Sequence, residues 1–185
     1  MAGDDLRYYE TFYGIYTNDW EITFGSFTDS PNLLVKEYIS DACDTTDYSI
    51  ATDTAKFIYP HHIKKIFFIE GVIEGHITVA SSSATSTVTD YKVTVGKVHE
   101  DTSVETDLFT TGWITVNTTL TWDSTYSIGE EIVYPFWIDA WDYAEISDKE
   151  RIYVKIEVNG DNNCVLWHRN DATWEDLKIT IPLRL

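Results

Sequence analysis

Hydrophobic and polar residues alternate with a period of two along much of this chain, and helical periodicity is almost absent. The pattern is clearest over 151–158. There Ile152, Val154, Ile156 and Val158 face one side, and Tyr153, Lys155 and Glu157 the other, which marks a strand. It runs into Asn159-Gly160-Asp161-Asn162, residues that tolerate positive φ, so a hairpin is expected with 164–168 as the returning strand. At the C-terminus Leu177, Ile179, Ile181, Leu183 and Leu185 alternate with Lys178, Thr180, Pro182 and Arg184. Proline cannot donate to a ladder, so this strand is expected at a sheet edge or with Pro182 facing solvent.

The same reading predicts strands over 63–79, 88–98, 113–122 and 131–143, with shorter ones at 20–24 and 33–39. In the first of these, Phe67, Ile69, Ile73, Ile77 and Val79 share a face, and Gly71 and Gly75 are candidate bulges or bends. Turn-forming residues fill 28–32, 41–53 and 81–86, and 142–149 and 170–175 could each hold a helical turn. No composition break separates domains. The expectation is one all-β domain over 1–185, a two-sheet antiparallel β-sandwich of the jelly-roll type, with other Greek-key sandwiches still open. Residues 1–13 are read as an N-terminal arm that orders on assembly.

A chain of 185 residues can bury about 70% of its unfolded surface, so no staple or cofactor is needed for stability. The net charge of −18 repels phosphate backbones and anionic lipid, which argues against nucleic-acid and membrane partners. No stretch approaches the ~20 apolar residues of a membrane helix. The start, MAGDDLRYYE, lacks the basic and apolar regions of a secretory signal, so a soluble chain made in the cytoplasm is expected. Cys43 and Cys164 form no Cys-x-x-Cys; a single long-range disulfide between them stays open, and two free buried thiols are the expectation.

Candidate chemistry is sparse. Glu70, Glu74 and His76 share a strand face, with Asp139 or Glu157 as a second acid for a glycosidase pair, but a solvated strand face accounts for them better. Small jelly-roll xylanases place a nucleophile in a stretch similar to 31–38. Lys36 stands at that position here, which excludes the family. Asp41, Asp44, Asp47 and Asp53 form an acidic loop without EF-hand spacing. His61 and His62 are adjacent on an extended chain and point apart, a poor chelate. Asn117-Thr118-Thr119 has the form of a glycosylation sequon inside a predicted strand. No nucleophile-elbow, phosphate-loop or dinucleotide motif occurs. The reading is of a protein that is not an enzyme, with no catalytic, metal or cofactor residues.

The densest aromatic run is 134–143. Its even positions carry Tyr134, Phe136 and Ile138; its odd positions carry Trp137, Trp141 and Tyr143. Two apolar faces on one strand imply either a contact surface or a bulge at Pro135 that shifts the register. Together with 150–160, Leu166-Trp167-His168-Arg169 and 177–183, this run resembles jelly-roll head proteins of tailed viruses. The resemblance implies a virion protein, a capsid decoration, cement or minor capsid component, whose partners are the major capsid protein and copies of itself in a homotrimer. The contact residues expected for that role are Tyr8, Tyr9, Phe12, Tyr13, Tyr134, Phe136, Trp137, Trp141 and Tyr143. The alternative is a carbohydrate-binding sandwich that uses Trp113, Trp137, Trp141 and Trp167.

Overall fold

The computed structural model describes residues 7–16, 22–24, 27–29, 32–36, 48–49, 54–60, 66–125, 128–161, 164–166 and 177–184. All regular structure among them is strand: β1 (Arg7–Tyr16), β2 (Ile22–Phe24), β3 (Phe27–Asp29), β4 (Asn32–Val35), β5 (Tyr48–Ser49), β6 (Ala55–Ile58), β7 (Phe67–Ser81), β8 (Ser86–His99), β9 (Glu105–Thr110), β10 (Ile114–Leu120), β11 (Trp122–Asp123), β12 (Ile128–Gly129), β13 (Glu131–Ile146), β14 (Glu150–Gly160), β15 (Cys164–Leu166) and β16 (Leu177–Arg184). No helix among the described residues is long and apolar enough to cross a membrane.

One mixed sheet of 12 strands curls until it nearly closes into a barrel, in the order β10-β8-β14-β6-β4-β1-β16-β7-β15-β5. β9 also pairs with β8, and β13 with β7. The pairs are antiparallel apart from β4 with β6, which are parallel. β2–β3 and β11–β12 form separate two-stranded pieces.

Inward-facing alternate residues build one core. Phe67, Ile69, Ile73, Ile77 and Val79 of β7 meet Tyr91, Val93 and Val95 of β8, and Ile152, Val154 and Ile156 of β14. Burying aliphatic side chains of this kind stabilises by roughly 1.5–3 kcal/mol each. Across the core the Tyr91 and Tyr134 rings stack at 5.2 Å, and the Tyr91 hydroxyl donates to the Pro135 carbonyl at 2.6 Å. Burial pushes both phenols above their ordinary pKa.

Four local expectations are corrected. β15 does not return along β14. It pairs with β7 and β5, because both edges of β14 are already taken by β8 and β6. β16 is interior, between β1 and β7. Pro182 is buried there, and its missing donor falls where the ladder with β7 shifts between Thr180 and Leu183. The proposed arm is a strand from Arg7 onward, in continuous register with β16 from Arg7↔Arg184 to Tyr13↔Lys178. No helical turn occupies the start of 142–149: β13 continues to Ile146, and Glu150 N–H closes a turn onto the Ser147 carbonyl.

Candidate functional site

β13 supplies the most distinctive surface of the described molecule. Its even positions, Tyr134, Phe136, Ile138 and Ala140, point into the core. The phenyl ring of Phe136 fills space that a side chain at Gly75, its partner on β7, would need. The odd positions point outward, and large apolar groups stand in solvent: Val133 is 52% exposed, Trp137 69%, Trp141 58% and Tyr143 60%. Pro135 keeps its register opposite His76, so no bulge lies there. The ladder shifts instead between Ala140 and Ala144, where β13 carries extra residues and Tyr143 adopts φ 23°. Trp141, Asp142 and Tyr143 are therefore all exposed in succession. Gly71, at φ 137°, lies opposite this bulge, whereas Gly75 sits in regular register.

The edge is shielded at mid-strand. Among the described residues β13 pairs with β7 alone. Pro135 has no N–H, and its carbonyl already accepts from Tyr91. A partner strand would find no donor there, which blunts edge-to-edge pairing. The outward side-chain face is the part left to act.

That face continues across the sheet. Trp137 is level with Glu74 of β7, Thr180 of β16 and Thr11 of β1, and the two threonine hydroxyls are 3.1 Å apart. Pro135 is level with His76, Lys178 and Tyr13, and the Lys178 ammonium lies 5.6 Å from the centre of the Tyr13 ring. Exposed Tyr9 lies on the same side of β1. The outward members of the two aromatic groups, Tyr9 and Tyr13 on β1 and Trp137, Trp141 and Tyr143 on β13, thus sit at opposite ends of one face, roughly 14 Å apart at ~4.8 Å per strand. Glu131, Asp139, Asp142 and Glu145 are exposed along β13, which contains no Lys or Arg.

Three of the expected contact residues are corrected. Phe12, Tyr134 and Phe136 are buried in the core and present no surface. Tyr13 is half-buried; Tyr8, Tyr9, Trp137, Trp141 and Tyr143 are exposed. Glu70 is held between Arg184 at 2.6 Å and Arg7 at 3.0 Å, beside a pocket of about 320 Å³ lined by Phe68, Tyr143 and Arg184. Glu74 and His76 share its outward face, the solvated-surface reading. Asn117 is exposed at φ 47°, where the β10–β8 ladder shifts. No group of three possible metal ligands occurs among the described residues. Asp41, Asp44, Asp47 and Asp53 of the acidic loop, His61, His62, Cys43 and Trp167 lie outside those residues. Cys164 is a buried free thiol.

No family model and no curated protein matches the chain. Among solved structures, it is similar to a CocE/NonD family hydrolase from Staphylococcus aureus, with TM-score 0.57 and 11% identity, over 98% of this chain and 37% of that one. An aminopeptidase from a marine sediment archaeon, Thaumarchaeota archaeon, aligns at TM-score 0.47 and 11% identity, over 98% of this chain and 34% of that one. The chain spans little more than a third of the length of these proteins. The first likeness speaks to fold alone, and the second is too low in score to add to it.

Proposed function

We propose that this chain is a non-enzymatic structural protein of a virus particle, a decoration, cement or minor capsid component that works through subunit contacts. The observation that carries the reading is the outward row of β13, where Val133, Trp137, Trp141 and Tyr143 expose apolar surface on a folded strand. Exposed groups of this kind mark interaction sites, and Trp and Tyr are the side chains that dominate interface energetics. Because Pro135 and Tyr91 shield the edge, docking is by side chains rather than by an added strand. The carboxylates along the row favour a basic or neutral counterpart over the same row of another copy. In the homotrimer we propose, this row meets a different face of a neighbouring copy, and the major capsid protein is the further partner of the assembled trimer.

The fold within this proposal is a jelly roll. What supports it is the strand order: β1-β16-β7-β13 on one side of the core and β6-β14-β8 with β9 and β10 on the other, all antiparallel.

Light scattering on a sizing column tests the reading. The expected native mass is three times that of the chain, and the paired change Trp137→Ser with Trp141→Ser gives monomer with an unchanged melting temperature. A wild-type monomer, or a trimer indifferent to both substitutions, would overturn it.

A further inference from the structure

A second aromatic site lies on β8 and β9, strands that do not pair with β13. Lys92 and Thr94 of β8, Asp107, Phe109 and Thr110 of β9, and Trp113 line a pocket of about 310 Å³. Its volume is at the small end for ligand sites, the size for one ring rather than an extended chain. Trp113 is 49% exposed, and the Lys92 ammonium stands 4.8 Å from its ring centre.

The walls are fixed in place. Lys92 pairs with Glu157 at 2.6 Å. Asp107 accepts from Lys155 at 2.8 Å and from the Tyr153 hydroxyl. The turn that carries Trp113 is tied to β8: Thr111 N–H donates to the Val93 carbonyl, and Val93 N–H donates to the Thr111 hydroxyl, both at 3.0 Å. Gly112 takes φ 68°, and its N–H donates to the Thr110 hydroxyl at 3.2 Å. A site held in shape before a ligand arrives loses less ordering entropy on binding.

We propose that this pocket binds a single neutral pyranose unit of a glycan. A pyranose has an apolar C–H face to lie against Trp113. Its hydroxyls can donate to the Asp107 carboxylate and accept from Lys92. Two ammonium groups and two carboxylates balance around the site, and the chain's net charge of −18 disfavours anionic sugars. The inference goes beyond the coat reading and does not depend on it.

The test is a chemical-shift titration of the intact chain with the methyl glycosides of glucose, galactose, mannose and N-acetylglucosamine, and with adenosine. At least one glycoside is expected to give saturable shifts at the Trp113 indole N–H and at amides of 92–94 and 107–113. Trp113→Ala should weaken binding on the order of tenfold, Trp113→Phe should keep most of it, and Trp137→Ala should leave it unchanged. The proposal fails if no glycoside saturates these resonances, if the shifts map to Trp137 and Trp141, if adenosine alone binds, or if folded Trp113→Ala binds as wild type.

Discussion

β13 and β14 are consecutive strands joined by one tight turn, and both alternate inward and outward along their length, yet their outward faces have opposite fates. Trp137 of β13 stands in solvent, while Tyr153 of β14 is fully buried. The difference is one of neighbours. β14 lies inside the sheet, flanked by β6 and β8. Gly96 of β8 leaves room for the Tyr153 ring, the hydroxyl reaches Asp107 of β9, and the Lys56 ammonium lies 5.5 Å from the ring centre. Burial and the Asp107 carboxylate together push that phenol far above its ordinary pKa. Among the described residues β13 pairs with β7 alone, and of its outer row only Tyr143 meets another ring, that of Phe68 at 5.6 Å, while Trp137 and Trp141 stay exposed. An aromatic residue facing outward on a strand is thus a structural anchor in one place and exposed surface in the other.

The sharpest way to break this comparison uses adjacent residues of β13. Phe136→Ala empties core volume against Gly75 and should cost about 3–5 kcal/mol. Trp137→Ala should change stability by no more than about 0.5 kcal/mol while abolishing self-association. Urea titration of both variants checks the pair. A Trp137→Ala loss as large as that of Phe136→Ala would mean the outer row is packed, and the surface reading would go with it.

The second effect belongs to β14. Gly96→Ala puts a methyl group where the Tyr153 ring now lies. The ring must move off Asp107 and the Thr106 carbonyl of β9, which the methyl also crowds, must give way, at a cost of about 1–3 kcal/mol, and Tyr153→Phe in that background should cost little more. Full additivity of the two substitutions would show that ring and glycine do not share the space.

Sequence periodicity carried much of the fold. The inward residues of β7, β8, β14 and β16 follow from alternation alone, because a pleated strand gives its side chains only two directions. What alternation does not carry is pairing. Asn159-Gly160 reads as a hairpin, yet β15 crosses to β7, since the edges of β14 are occupied by strands distant in sequence. Pro182 reads as an edge residue, yet it sits inside the sheet at a register shift that removes the need for its donor. On β13, parity separates Tyr134 and Phe136 from Trp137, but it cannot say which set is covered. Phe12 lies among tyrosines in the sequence, but its parity differs from that of Tyr9 and Tyr13, and it turns into the core. The pocket at Trp113 had one legible signal, an isolated Trp beside a Thr-Thr-Gly turn. Its other walls come from β8 and β9, whose register no local pattern encodes.

The smallest effect tests the turn that separates the two strands. Burial pushes the Glu150 carboxyl up, but hydrogen bonds from the Ser147 amide and the Lys97 ammonium, both at 2.9 Å, outweigh it and hold the group below its ordinary pKa. A carboxyl depressed in the folded state stabilises above its unfolded pKa of about 4.3 and loses that contribution as pH falls through the folded value. Glu150→Gln should therefore cost on the order of 1 kcal/mol at neutral pH and flatten the loss of stability below about pH 4.3. Denaturant midpoints measured across the acid range give the difference directly, since the other carboxylates are common to both proteins. Parallel acid limbs would mean that Ile146 and Ile152, both fully buried on either side of the turn, hold it by packing alone. The divergence of β13 from β14 would then be set by the core rather than by charge.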